Sequence, residues 1–105
     1  MSDTTTAAPL MVPTPEFAFG RVVATPGALA ALDAAGEDPS VYLGRHARLE
    51  RGELCDDDHA ANVHGAANGG DVLSSFKLGD AAGTRLWVKT EHDRSATTLL
   101  LPHEN

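Results

Sequence analysis

The sequence predicts an α+β domain: an antiparallel sheet, made of a three-strand C-terminal meander plus one N-terminal strand, packed against about three short helices. Three observations predict it. Apolar residues recur at helical spacing between Pro- and Gly-marked boundaries through the middle of the chain, three β-rich runs separated by short turn sequences fill the last third, and 105 residues suffice for one hydrophobic core and no more.

Residues 1–16 mix Thr, Ala and Pro without any period. Such a composition buries too little surface to offset its ordering entropy, so a disordered lead is expected there and a single domain over 17–105. From Phe17 the run FAFGRVVA alternates and reads as the first strand, up to Ala24. It is expected at a sheet edge or paired centrally. Thr25-Pro26 supplies an N-cap followed by proline at the first helical position; Leu29 and Leu32 with Ala28, Ala31 and Ala35 follow the helical period, and Gly36 ends the helix. The same start signal recurs in Asp38-Pro39. There Tyr42, His46 and Leu49 fall at i, i+4 and i+7, which predicts a second amphipathic helix stopped at Gly52. Asp56, Asp57 and Asp58 begin a third helix, in which Asp56 or Asp57 can act as the cap; Ala60, Val63 and Ala67 share its expected inner face, and Gly69-Gly70 closes it.

The runs VLSSFKL, TRLWVKTE and SATTLLLP, joined by GDAAG and HDR, predict the meander, because short connections join antiparallel neighbours. On the middle strand Leu86 and Val88 should face the helices. Trp87 then points the other way, among Arg85, Lys89 and Glu91.

Fifteen acidic against eight basic residues give a net charge of -7, which opposes binding to phosphate backbones. No direct nucleic-acid binding is therefore expected, and the charge is too sparse for the whole domain to imitate duplex DNA. The single cysteine, Cys55, rules out an internal disulfide and fits a reducing compartment. An acidic residue stands where a secretion signal carries basic ones, Pro9 and Pro13 break the longest early apolar run, and no stretch nears about 18 apolar residues. A cytoplasmic location and no membrane partner are expected.

Cys55, His59 and His64 raise a metal site, with His46 or an aspartate as fourth ligand. The two histidines are five apart on a helix and so about 140° from one another, whereas a helical pair of ligands uses i and i+4. No metal or cofactor is expected. The run His92, Asp93, Arg94 and Ser95 holds residue types of acid-base and nucleophilic chemistry, but consecutive turn residues splay outward instead of converging. No GxSxG, HExxH, CxxC or phosphate-binding glycine loop is present, and the chain is expected not to be an enzyme. Binding residues stand out more clearly. Glu50, Glu53, Asp56, Asp57 and Asp58 form the most acidic segment, more than helix capping needs, and Trp87 is an aromatic on a polar strand face. Glu53, Asp56, Asp57, Asp58, Trp87 and Arg94 are the expected partner-binding residues.

The C-terminal segment GGDVLSSFKLGDAAGTRLWVKTEHDRSATTLLLPHEN and the earlier RVVATPGALAAL resemble a family of small bacterial proteins described as hypothetical or plasmid-related. The resemblance spans about residues 20–104 and includes Thr25-Pro26-Gly27, Gly69-Gly70, the strand around Leu86-Trp87 and the Asp93-Arg94-Ser95 turn, while Cys55, His59 and His64 lie outside its pattern. No established activity accompanies it. The resemblance implies a mobile-element setting, and small size with absent catalytic motifs points to binding. The expectation is a non-enzymatic accessory protein of a bacterial mobile element that binds another protein, with a nucleic-acid-handling defence or replication factor as the expected target. The alternative is a regulatory module that binds a small ligand or forms a homodimer; both monomer and homodimer remain open.

Overall fold

The computed structural model describes residues 17–105. The expected disordered lead, residues 1–16, lies outside them. The elements are β1 (Arg21–Ala24), α1 (Pro26–Ala35), α2 (Pro39–Ala47), α3 (Asp56–Asn68), β2 (Val72–Lys77), β3 (Arg85–Thr90), β4 (Ala96–Leu100) and a closing 3₁₀ turn, Pro102–Glu104. The fold is α+β, with one four-stranded sheet in the order β1-β4-β3-β2.

The meander is antiparallel, as short turns require. The first strand occupies an edge but runs parallel to β4, from Arg21 opposite Ala96 to Ala24 opposite Leu99, so the sheet is mixed. This is sterically reasonable, since the three helices and two further strands between β1 and β4 give the chain ample length to return in the same direction. The strand is also shorter than the alternation suggests. Gly20 has φ 64°, and a side chain there would run into the carbonyl of Arg94, so the chain turns at this point and Phe17 and Phe19 leave the sheet. Their rings pack instead on the imidazole of His46, at 5.2 and 5.6 Å between centroids.

Helix α1 starts and ends as its sequence dictates: Thr25 Oγ1 accepts from the Ala28 N–H at 3.1 Å, and Gly36 adopts the left-handed cap. Helix α2 starts on Asp38 but stops at Ala47, well before Gly52. Leu49 takes the left-handed conformation at φ 57°, with its N–H on His46 O and the Glu50 N–H on Arg45 O, a Schellman closure built on leucine. The Glu50 carboxylate accepts from Arg45 and Arg48, which fixes that turn. No glycine marks it in the sequence.

Ala28 and Leu32 of α1 and Tyr42 of α2 cover one sheet face, packing with Phe76, Leu78, Leu86, Val88 and Leu99. The expected inward direction of Leu86 and Val88 is therefore correct. The expected inner face of α3 is not: Ala60, Val63 and Ala67 are exposed, and Asn62 and Gly65 are buried. Helix α3 lies along the edge strand β2, where an apolar stripe would leave backbone groups unpaired. The Asn62 carboxamide donates to Leu73 O at 2.6 Å and accepts from Leu73 N at 2.9 Å, taking the place of a neighbouring strand.

Candidate functional site

The sheet face away from α1 and α2 carries Leu73, Ser75 and Lys77 from β2, Arg85, Trp87 and Lys89 from β3, and Thr98 and Leu100 from β4. Ser75 stands opposite Trp87, which in turn stands opposite Leu100. Over the β2 end of this face the segment preceding α3 forms a wall. Gly52, at φ 56°, lies against the Ser75 carbonyl with no room for a side chain, and the Glu53 N–H donates to that carbonyl at 2.7 Å. Arg51 Nε donates to Leu54 O and its guanidinium pairs with Asp56.

Between wall and sheet is an open cleft of about 350 Å³, lined by Glu53, Leu54, Cys55, Asp58, Leu73, Ser75, Arg85 and Trp87. Leu54, Leu73 and the half-buried indole of Trp87 are its apolar lining. Glu53 and Asp58 supply two carboxylates against one guanidinium, Arg85, whose Nη2 is 3.5 Å from Glu53 Oε1. Ser75 is 7% exposed and lines the cleft; its carbonyl accepts from the Glu53 N–H, while its hydroxyl takes part in no hydrogen bond among the described residues.

Glu53, Asp58 and Trp87, named from sequence, thus line one cleft. The cap of α3 differs from expectation. Cys55 occupies the N-cap position without a side-chain bond, and all three aspartates sit in the first turn, where a carboxylate favours the helix dipole without capping it. Asp56 and Asp57 stand exposed beside the cleft. Arg94 lies elsewhere, at the left-handed position of the β3–β4 turn with φ 60°. Its guanidinium donates to Gly70 O at 2.6 Å, Gly65 O at 2.9 Å and Glu91 O at 3.2 Å, and sits 5.6 Å from the Phe17 ring centroid. It ties the end of α3 to the hairpin.

A second polar group escaped the sequence reading. His46 has no exposed surface, nor do Ser74, Thr90 and Thr97. His46 Nδ1 is 2.7 Å from Ser74 Oγ and Nε2 is 2.8 Å from Thr90 Oγ1, which is 2.7 Å from Thr97 Oγ1; Thr97 donates to the Phe19 carbonyl at 2.8 Å. A carbonyl can only accept, and this fixes every proton in the chain. Thr97 gives its proton to Phe19, so it accepts from Thr90, which accepts from an Nε2–H, leaving Nδ1 bare to accept from Ser74. Burial holds the imidazole down at about 4, which keeps it in this neutral tautomer. A serine beside an unprotonated imidazole nitrogen has the chemistry of an activated nucleophile, but both groups lie sealed in the core, out of reach of any substrate. The available signal was parity: Ser74, Thr90 and Thr97 alternate in phase with Val88 and Leu99, on the inward face.

Cys55, His59 and His64 do not converge. His59 Nε2 lies 3.0 Å from Leu49 O, His64 bonds Asn68, and no three His, Cys, Asp or Glu side chains cluster for a metal among the described residues. Among those residues no helix is long and apolar enough to cross a membrane. Comparison with protein-family models, with curated proteins and with solved structures gave no match.

Proposed function

We propose that this chain is a non-enzymatic accessory protein that binds a basic protein partner at the cleft between Trp87 and the first turn of α3. The observation carrying this reading is the convergence of Glu53, Asp58 and Trp87 with Leu54 and Leu73 on one accessible concavity, with Asp56 and Asp57 adding charge beside it. A carboxylate-rich rim around an aromatic and two leucines suits a partner that carries surplus cations. Proteins that handle nucleic acid do so, which fits a defence or replication factor as the target. The mobile-element setting rests on the sequence resemblance alone, and the cytoplasmic one on the lone thiol of Cys55.

The test compares tagged wild type with Asp57→Asn/Asp58→Asn and with Trp87→Ala. Proteins retained from cell lysate at low salt by the wild type should be lost from both variants and released as ionic strength rises. Identical retention by all three forms at every salt concentration would remove the proposal. A second reading is favoured by one feature. Val22 and Val23 are exposed on β1, whose outer edge pairs with no strand among the described residues, so a homodimer could form by edge pairing. Light scattering that returns twice the monomer mass would support it.

A further inference from the structure

We infer that the cleft receives one arginine side chain of the partner, with the guanidinium stacked on the indole of Trp87 and hydrogen-bonded to Glu53, Asp58 and Ser75. The inference rests on the proposed binding function and names the group recognised. Charge sets the sign of the ligand. Two carboxylates line the cleft against one guanidinium, and the flanking Asp56 and Asp57 are offset only by Arg51, so an anion is repelled and a cation attracted. A neutral apolar side chain fares no better, because it would cover the Glu53 and Asp58 oxygens without hydrogen-bonding to them.

Ser75 is the independent pointer. A hydroxyl on a residue only 7% exposed, facing the cleft and lacking a protein partner among the described residues, is free to accept from a donor that a ligand brings. Geometry then separates arginine from lysine. The acceptors lie on different sides of the cleft, Ser75 on the sheet, Glu53 in the wall and Asp58 on the helix, and a planar fork with five N–H donors can serve several at once while its face lies on the indole. The 3.5 Å contact between Arg85 and Glu53 is too long to engage Glu53 fully, so that carboxylate keeps capacity for a second guanidinium. Leu54 and Leu73 offer apolar surface to the methylene stem. A volume of about 350 Å³ accommodates one such side chain and not a folded element.

Trp87 is the only tryptophan of the chain and reports directly on the cleft. Its emission is titrated with N-acetyl-arginine amide and, in parallel, with the citrulline and lysine analogues, citrulline having the shape of arginine without its charge. The arginine compound should give a saturable change with half-saturation on the order of 1 mM, lysine a several-fold weaker one and citrulline none. Glu53→Gln/Asp58→Asn should weaken arginine binding at least tenfold with its urea midpoint unchanged. Asp58→Asn alone, on an exposed helix position, serves if Glu53→Gln disturbs the wall. Citrulline matching arginine, lysine matching arginine, undiminished binding by these variants, or no saturable response would each overturn the inference. Failure in the amide titration, alongside salt-sensitive retention of basic proteins by the full chain, would discard the arginine cleft and leave partner binding standing.

Discussion

Acid should destabilise this protein through one residue, because His46 is sealed in the core as a neutral ring. Its pKa is lowered by burial from the ordinary 6.5 to about 4, whereas the unfolded chain protonates it near 6.5. Between these values the unfolded state binds more protons than the native one, so stability is full above about pH 6.5 and falls as the pH drops toward 4. A difference of about 2.5 units corresponds to about 3 kcal/mol. For a domain of this size that is a large share of a total of about 5–15 kcal/mol. A protonated ring would also meet the chain of hydroxyls wrongly, since Nδ1 could no longer accept from Ser74. Urea unfolding at several pH values between about 7 and 4.5 measures the slope, and His46→Gln, neutral throughout, supplies the reference. The wild type should lose about 2–3 kcal/mol more than the variant across that range. Parallel pH profiles for the two would refute the argument, because every other histidine is present in both.

Asn62→Ala leaves the N–H and C=O of Leu73 unpaired at the sheet edge and should cost about 1–3 kcal/mol by urea unfolding, with a rise in aggregation as β2 loses its cover. Arg94→Lys keeps the charge but loses the fork that spans Gly65 and Gly70, so it should destabilise by about 1.5–3 kcal/mol and speed amide hydrogen exchange at the end of α3. The Trp87 indole, half-buried at the cleft, should be quenched by acrylamide in the free protein and shielded when N-acetyl-arginine amide is bound; an emission already insensitive to acrylamide would contradict its placement.

Local signals carried the fold far. The Thr25-Pro26 and Asp38-Pro39 starts, the Gly36 stop and the period-two alternation of Leu86 and Val88 act within a few residues, and each does in the structure what its chemistry dictates. The departures arose where side-chain pairing or a group from another element decided. Leu49 ends α2 because Glu50 is gripped by two arginines, and Cys55 takes the N-cap position while the aspartates beside it fall inside the first turn. The inner face of α3 was misread because an edge strand calls for hydrogen bonds, not apolar surface, so Asn62 turns inward and Val63 outward. At the candidate site the acidic run and Trp87 were legible as types. Their meeting in one cleft was not, since it depends on Gly52 closing against Ser75, 23 residues away along the chain (75 − 52).

The buried chain of hydroxyls and the exposed cleft are two faces of one problem of register. Strand β2 reads Val-Leu-Ser-Ser-Phe-Lys, in which Ser74 faces inward and Ser75 outward, so polarity at its centre does not tell the faces apart. A slip of one residue would exchange them and carry Leu73 away from the cleft. Two features oppose that slip. Phe76 and Val72 favour the inner face by burial, and His46 accepts a hydrogen bond from Ser74 while donating to Thr90 on the adjacent strand, bridging the inward positions of β2 and β3. Only a neutral imidazole can do both, because it has one donor and one acceptor nitrogen. The ring that must stay unprotonated in the core is thus also the group that holds Ser75 opposite Trp87 on the outer face, where the two form the floor of the cleft.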